Sequence, residues 1–227
     1  MSEALVSVVI PVRDGERYLR ETVRSVLEQS YDAIEVVAVD DGSRDGTGAM
    51  LRAMESEIRW ARQEASGVNA AMNRGVRMAG GSFLAFVDAD DLWTETKLEL
   101  QMARLAGDAE LDAVFGHVRN FVSADLSVEQ RSAIACPPEP MPGMSAGTML
   151  IRREAFDRIG DFDTELQVGG FIDWYARATE LGLVSAMLPD VVMLRRLHGA
   201  NTTLRAPEAR VDYTRVARAA LRRRRAR

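Results

Sequence analysis

The chain has 227 residues, 47% of them hydrophobic and 28% charged, a composition typical of a globular protein large enough to bury a substantial core. Its single cysteine, Cys136, excludes an internal disulfide and is typical of a reducing compartment. The sequence contains no pattern typical of a secretory signal or a membrane-spanning helix, so we expect a cytoplasmic protein.

Apolar runs alternate with amphipathic segments in the first hundred residues. The runs predict buried strands over 5–12, 33–39, 58–61 and 83–87. The segments between and after them predict helices over 15–29, 49–56, 67–78 and 94–104. Such alternation is typical of a parallel α/β sheet with helices on both faces.

The second half of the chain is less regular. Strands are predicted over 113–122, 147–151, 184–188 and 191–194, and helices over 153–159, 171–181 and 208–225. The stretch 136–143 holds four prolines and is predicted to be an irregular loop. We expect one domain over 1–204, with a nucleotide-binding half over 1–106 and an acceptor and catalytic-base half over 107–204. A basic amphipathic helix and tail would follow over 205–227.

Three carboxylates, Asp88, Asp90 and Asp91, follow the apolar run that ends at Val87. Like charges so close together repel unless a cation lies between them. Mg²⁺ or Mn²⁺, held by one or two carboxylates and by substrate phosphates, would meet that need. Asp88 and Asp90 project to one side of an extended backbone. Asp91 could instead cap the next helix, and the two interpretations are compatible.

Two other stretches with polar residues lie at the ends of predicted strands. One covers residues 11–14, and the other is Asp40-Asp41-Gly42-Ser43. Ligands of parallel α/β sheets bind at the carboxyl ends of the strands, so these stretches should converge with the three carboxylates. Asp40 and Asp41 could accept hydrogen bonds from a nucleobase or a ribose, or could form an Asx turn and helix cap. The helix from Gly67, which carries Asn73, could face a phosphate or lie on the surface.

Several spaced stretches resemble family 2 inverting glycosyltransferases. They are 7–12, 15–19, 25–31, the stretch 35–47 around Asp40-Asp41-Gly42-Ser43, 71–75, 79–81 and 88–91, and the resemblance extends over about residues 6–200. The resemblance implies the GT-A fold, a nucleotide-sugar donor and a divalent metal, Mg²⁺ or Mn²⁺.

The resemblance also implies roles for individual residues. A nucleotide pocket would be formed by Pro11, Val12, Arg13, Asp14, Asp40, Asp41, Gly67, Asn73, Asp88 and Ala89. The metal would be held by Asp88, Asp90 and His198. The family often has an aromatic residue and Asn where this chain has Arg13-Asp14. A guanidinium plane can stack on a base, and we favour uridine as the donor base.

The family's catalytic base belongs to a Glu-Asp pair at the start of a late helix. The matching positions here are Ile172 and Asp173, so the first acid is lost and Asp173 is the predicted base. Asp173 could alternatively be an acid that stabilises the helix N-terminus.

Four further residues are predicted to lie on the acceptor or diphosphate side: Asp91, Trp174, Arg195 and Arg196. One of the two arginines would place positive charge near the leaving group. Trp174 is either a platform for an acceptor sugar or part of the core.

The net charge of −5 conceals an asymmetry, since the chain from Arg205 onward carries nine Arg against two acids. We interpret this end as a solvated tail. Contact with anionic lipids at the inner face of a membrane is an alternative, and no nucleic-acid partner is expected.

The predicted function is therefore transfer of a sugar from a nucleotide-sugar donor to an unknown hydroxyl acceptor, which could be a glycan, a lipid-linked sugar, a peptide or a small molecule. Two other classes stay open. A nucleotidyltransferase would be expected to carry a Gly-rich loop with Lys or Arg after the first strand, which this chain lacks. A non-catalytic nucleotide-sugar-binding module would explain Ile172.

Overall fold

The computed structural model describes residues 3–199 together with 212, 214–216, 218 and 223. These residues form one mixed α/β structure, in which helices pack on a sheet of nine strands. The strands are β1 (Val6–Val12), β2 (Ile34–Asp41), β3 (Arg59–Gln63), β4 (Phe83–Phe86), β5 (Leu92–Trp93), β6 (Ala113–Val122), β7 (Met141–Gly143), β8 (Leu150–Arg152) and β9 (Ser185–Leu197). The helices are α1 (Leu19–Leu27), α2 (Thr47–Ala53), α3 (Val68–Met78), α4 (Lys97–Ala106), α5 (Val128–Ser132), α6 (Arg153–Ile159) and α7 (Gly170–Glu180), with a 3₁₀ turn at Ala146–Thr148.

The first half of the sheet is parallel, as predicted. Strand β1 pairs with β2 on one side and β4 on the other, and β3 lies beyond β2. The chain moves outward from β1 to β3 and then returns across β1 to form β4. Ligands of such sheets bind in the crevice expected where the strand order reverses, which here is at the carboxyl ends of β1 and β4.

The second half extends the same sheet in the order β4-β8-β6-β9-β5, with β7 paired to β6. Strand β8 is antiparallel to both β4 and β6, whereas β6 and β9 are parallel. In that register Asn120 lies opposite Arg195 and Phe121 opposite Arg196. The end of β9 is thereby carried back to the crevice.

Both faces of the sheet are covered, which explains why β1 is buried along its whole length. Alternate side chains of β1 contribute to different cores: Val8 and Ile10 belong to the cluster under α1, and Val9 belongs to the cluster under α3 and α6. Helix α3 lies so close to β1 that a Cβ on Gly75 would be 2.3 Å from Val9 Cγ1.

The structure corrects several sequence-based boundaries. Strands β5 and β7 and helix α5 were not predicted, because they have two, three and five residues and no apolar periodicity. The two strands predicted on either side of Pro189 are one strand, β9. The β6–β9 register shifts between Phe115 and His117, and such an irregularity accommodates a proline that has no N–H for the ladder.

The predicted helix over 208–225 and the basic tail lie mostly outside the described residues. Those that are described there are helical. No helix in the described part of the chain is long and apolar enough to cross a membrane.

We expect Gly75→Ala to destabilise the protein by about 1–3 kcal/mol, because the new methyl must displace Val9 in a close-packed core. Urea unfolding would measure the change. Gly107→Ala is the matched control, since its Cβ would approach no atom closer than 3.5 Å. Equal unfolding free energies for the two variants would contradict the close packing of α3 on β1.

Candidate active site

The loops that follow β1 and β2 are joined by hydrogen bonds beside the crevice. The Asp14 N–H donates to Ser43 Oγ at 2.9 Å, and the Arg44 N–H donates to Asp14 Oδ1 at 2.7 Å. The Gly15 N–H donates to Thr47 Oγ1 at 2.8 Å. These bonds hold Asp14 in a left-handed conformation with φ 51°, which is uncommon for a residue other than glycine. Such strain is typical of functional loops.

Of the residues predicted for the nucleotide pocket in the first loop, Pro11 and Val12 are buried. Arg13 and Asp14 are exposed at the crevice. The buried pair can shape the wall of the crevice, and the exposed pair is accessible to a ligand.

Asp40 and Asp41 are both buried at the end of β2. Asp40 Oδ1 accepts the Ser43 N–H at 2.8 Å. Asp40 Oδ2 has no hydrogen-bond partner within the described residues and lies 3.5 Å from Arg62 Nη1. A buried carboxylate oxygen without a hydrogen bond is costly, so this atom is a candidate acceptor for a ligand donor.

The Asp41 carboxylate instead organises the entrance to α3. It accepts from Gln63 Nε2, the Ser66 N–H and the Gly67 N–H, each at 2.8 Å. Its predicted contact with base or ribose stays a prediction. Gly67 is exposed with φ 94°, so its role is to allow the turn into the helix that Asp41 stabilises.

Asn73 is a predicted residue of the nucleotide pocket, but its side chain bonds to the backbone of Phe162 instead. Its amide nitrogen donates to the Phe162 carbonyl at 2.8 Å, and its amide oxygen accepts the Phe162 N–H at 3.0 Å. The side chain is buried. Asn73 therefore joins α3 to the loop before α7, a contact between residues 89 positions apart that the sequence does not reveal.

The three carboxylates after β4 have different environments. Asp88 is exposed, the side chain of Asp90 is 32% exposed, and Asp91 is buried. His198 Nε2 lies 2.8 Å from Asp90 Oδ2. His198, which follows β9, thus lies beside the acidic cluster predicted from sequence.

The charges of the cluster act on one another. Partial desolvation by surrounding protein and the charge of Asp90 raise the pKa of Asp88 to about 6, even though its side chain reaches solvent. Burial, followed by the charges of Asp88 and Asp90, raises the pKa of Asp91 well above its usual range. Arg195 partly opposes both shifts. An added cation would relieve the same repulsion.

The donor set fits Mg²⁺ or Mn²⁺. No three His, Cys, Asp or Glu side chains in the described part of the chain are already arranged around one point. These ions, however, commonly use only one or two carboxylates and complete their coordination with phosphates and water. Asp88 and Asp90 offer the carboxylate oxygens that these ions prefer, and the imidazole of His198 lies beside Asp90.

The two arginines of β9 differ from each other. The charge of Arg195 acts to lower the pKa values of Asp88 and Asp91, and its predicted role near a leaving group stays a prediction. The side chain of Arg196 is 6% exposed and lies between aromatic rings, with Nη2 2.6 Å from Glu21 Oε2. The side chain of Arg196 is therefore buried beside the acidic cluster, and its predicted place on the diphosphate side stays a prediction.

Asp173 lies in the first turn of α7 with only 7% of its side chain exposed. Its Oδ2 accepts from Arg177 Nε at 3.0 Å, and its Oδ1 lies 3.3 Å from Arg223 Nη1. The carboxylate is thus covered by two guanidinium groups. A base must reach the hydroxyl it deprotonates, and these contacts restrict that access.

Trp174 is fully buried, stacks on Phe156 at a centroid distance of 5.5 Å and donates from Nε1 to the Gly160 carbonyl. It belongs to the core, so the sugar-platform alternative is wrong. Ala89 is a residue predicted to bind the nucleotide, and its carbonyl accepts from Thr22 Oγ1 at 3.0 Å.

Sequence reasoning missed the residues of α1 that support the acidic cluster. Thr22 Oγ1 also donates to the Asp91 carbonyl at 2.8 Å, and Glu21 pairs with Arg196. Nothing in the pattern of α1 marks these residues, because an exposed Glu and a buried Thr are ordinary on an amphipathic helix.

A family model described as glycosyl transferase family 2 matches residues 7–161. A protein of Rickettsia typhi named as a glycosyltransferase is 28% identical over 220 residues, which are 92% of this chain and 69% of that protein. The glycosyltransferase GlyG of Streptococcus pneumoniae is 36% identical over 129 residues, 55% of this chain and 42% of GlyG.

Among solved structures, residues 1–349 of TarS from S. aureus superpose with a TM-score of 0.71 at 22% identity. The match covers 95% of this chain and 64% of that one. The TarS fragment has also been solved in complex with UDP and with UDP-GlcNAc. The chain thus spans less than two-thirds of the length of GlyG and of the TarS fragment.

We expect Asp91→Asn to unfold at the same or higher denaturant concentration than the wild type, measured at neutral pH with chelator present. The amide oxygen can still accept the Arg196 N–H, while one of three repelling charges is removed. Asp91→Ala should be less stable than Asp91→Asn by about 1–3 kcal/mol, because it leaves that buried N–H without an acceptor. Equal losses in both variants would contradict this account.

Proposed function

The chain belongs to glycosyl transferase family 2, is a glycosyltransferase and has the GT-A fold. On this premise we propose that it moves a sugar from a UDP-sugar to an acceptor hydroxyl, with inversion at the anomeric carbon and with Mg²⁺ or Mn²⁺ bound. The observation that carries the proposal is the convergence of Asp14, Asp40, Asp88 and the Asp90–His198 pair at one edge of the sheet. The relatives' names disfavour the nucleotidyltransferase and binding-module alternatives.

The nucleoside would bind between the loops after β1 and β2. Pro11 and Val12 would form the wall of the pocket, and the guanidinium of Arg13 would stack on the base. Asp40 Oδ2, buried with no hydrogen bond among the described residues, would accept from the base or ribose after a small loop adjustment. The UDP and UDP-GlcNAc complexes of the structurally similar TarS fragment support UDP as the nucleotide.

The diphosphate would lie over the acidic cluster. Asp88, Asp90 and His198 would hold the divalent ion, which when bound stabilises the negative charge on the departing diphosphate. The guanidinium of Arg195 would contribute positive charge at the same place, as its effect on Asp88 and Asp91 suggests.

Transfer would be a single displacement. The acceptor oxygen forms a bond to the anomeric carbon as the bond from that carbon to the diphosphate oxygen breaks. Asp173 is the proposed base for the hydroxyl proton. Because Arg223 Nη1 lies 3.3 Å from Asp173 Oδ1, this role requires that contact to open when the acceptor binds. The acceptor itself is an unspecified glycan, lipid-linked sugar, peptide or small molecule.

Incubation of the protein with Mn²⁺ and a panel of nucleotide sugars tests the donor and the metal. We expect slow release of free sugar and UDP from UDP-sugars, lost when the metal is chelated and restored when Mn²⁺ is added back. Release from GDP- or dTDP-sugars alone would overturn the UDP assignment. Full release in chelator would overturn the metal dependence.

The base assignment can be tested with two variants that break the same ion pair. Asp173→Asn should lower kcat by about 10²–10⁴-fold, because the proton acceptor is lost. Arg223→Gln breaks the contact but leaves the carboxylate, so it should retain or increase kcat. Near-normal turnover by a folded Asp173→Asn variant would show that Asp173 is structural, and thermal unfolding of both variants provides the control for folding.

A further inference from the structure

The buried guanidinium of Arg196 connects α1 to the acidic cluster. Its Nη2 lies 2.6 Å from Glu21 Oε2 on α1, and its Nε donates to the Asp90 carbonyl at 2.9 Å. The guanidinium carbon lies 4.4 Å from the ring centroid of Tyr18 and 4.8 Å from that of Phe121. A planar guanidinium that is held by two acceptors and packed against two aromatic rings has little freedom to move.

The main chain of Arg196 binds Asp91, the residue that follows Asp90 in the turn after β4. Its N–H donates to Asp91 Oδ1 at 2.9 Å, so one residue of β9 bonds to both Asp90 and Asp91. Thr22, which follows Glu21 on α1, donates to the carbonyls of Ala89 and Asp91. The turn after β4 is therefore held from β9 and from α1 together.

His198 lies two residues beyond Arg196 on the chain and is held by overlapping contacts. Its Nε2 is 2.8 Å from Asp90 Oδ2, and its ring centroid is 5.0 Å from that of Tyr18. Tyr18 thus packs against both Arg196 and His198. Asp90 is held through its backbone by Arg196 and through its side chain by His198.

We propose that Glu21 and Arg196 are positioning residues for the metal side of the active site. Glu21 neutralises and orients Arg196, and Arg196 in turn fixes Asp90 relative to His198. The inference rests on the metal-dependent function proposed above. Groups that hold metal ligands in place without touching the metal commonly affect its affinity strongly.

The charge balance explains why Glu21 would matter although its side chain is 61% exposed. Arg196 is 6% exposed, and a buried charge that loses its partner is strongly destabilised where it lies. Without Glu21 the guanidinium loses this charged contact and is held less firmly, which weakens its hydrogen bond to the Asp90 carbonyl. Asp90 would then be less well aligned with His198.

The test measures the dissociation constant of UDP by calorimetry with and without Mn²⁺. The wild type should bind UDP more tightly with Mn²⁺. Glu21→Ala should lower the affinity measured with Mn²⁺ on the order of tenfold, while metal-free UDP binding is unchanged. Glu28→Ala is the matched control, because Glu28 follows α1 and pairs with Arg24 on the surface. It should bind like the wild type.

A double-mutant cycle separates positioning from general stability. If Glu21 acts through the Asp90–His198 pair, Glu21→Ala should have little further effect on Mn²⁺-dependent binding in a His198→Ala background. Arg196→Lys keeps the charge but loses the planar fork, and it should reproduce the Glu21→Ala defect. Thermal unfolding identifies any variant that fails to fold. Glu21→Ala alters an exposed side chain, so its Mn²⁺-dependent UDP binding tests the positioning role even if Arg196→Lys does not fold.

The outcomes distinguish this inference from the proposed function. If Mn²⁺ does not tighten UDP binding to the wild type, the metal-dependent function is wrong and the inference falls with it. If the wild type responds to Mn²⁺ and Glu21→Ala responds equally, the inference alone is wrong. Equal weakening with and without Mn²⁺ would also overturn it, because that result indicates a general structural role.

Discussion

The hydrogen bond from the Arg196 N–H to the buried Asp91 carboxylate joins two parts of the chain on which the candidate site depends. Asp91 is buried beside two other carboxylates, an arrangement that burial and repulsion both oppose. The backbone donor and the charge of Arg195 partly offset that cost. Both come from the end of β9, so the acidic cluster is stable in this form only when β9 is paired with β6 in the observed register.

The opposite side of the crevice is built on a different principle. There the loops after β1 and β2 satisfy each other's polar groups, with Asp14 bonded to Ser43 and Arg44, and Gly15 bonded to Thr47. This geometry is determined by hydrogen bonds between neutral groups, or between a neutral donor and one carboxylate, and not by repulsion between like charges. The side proposed to bind the nucleoside is thus held together by contacts between its own loops, whereas the side proposed to bind the diphosphate needs residues more than 100 positions apart.

The sequence was sufficient to predict β1, β2 and β4, because strands buried on both faces appear as continuous apolar runs. It also predicted that the polar residues after these strands converge. It could not predict β5 or β7, which are too short to show a period. The direction of the Arg196 side chain could not be predicted from sequence either, because it depends on the β6–β9 pairing and its bulge. The Asp173 contacts with Arg177 and Arg223 and the Asn73 contact with Phe162 likewise arise from tertiary packing.

The segment between β6 and β7 has a consequence for how such an enzyme can diversify. Its side chains over 124–140 are mostly exposed, and Asp125 bonds to Arg17 and Tyr18 beside the crevice. Its ends are held by strand pairing, so added length would cost little free energy, about 0.6 kcal/mol for each doubling of a flexible loop. Insertions at this position could therefore reshape the rim next to the site while the donor-side framework keeps its geometry.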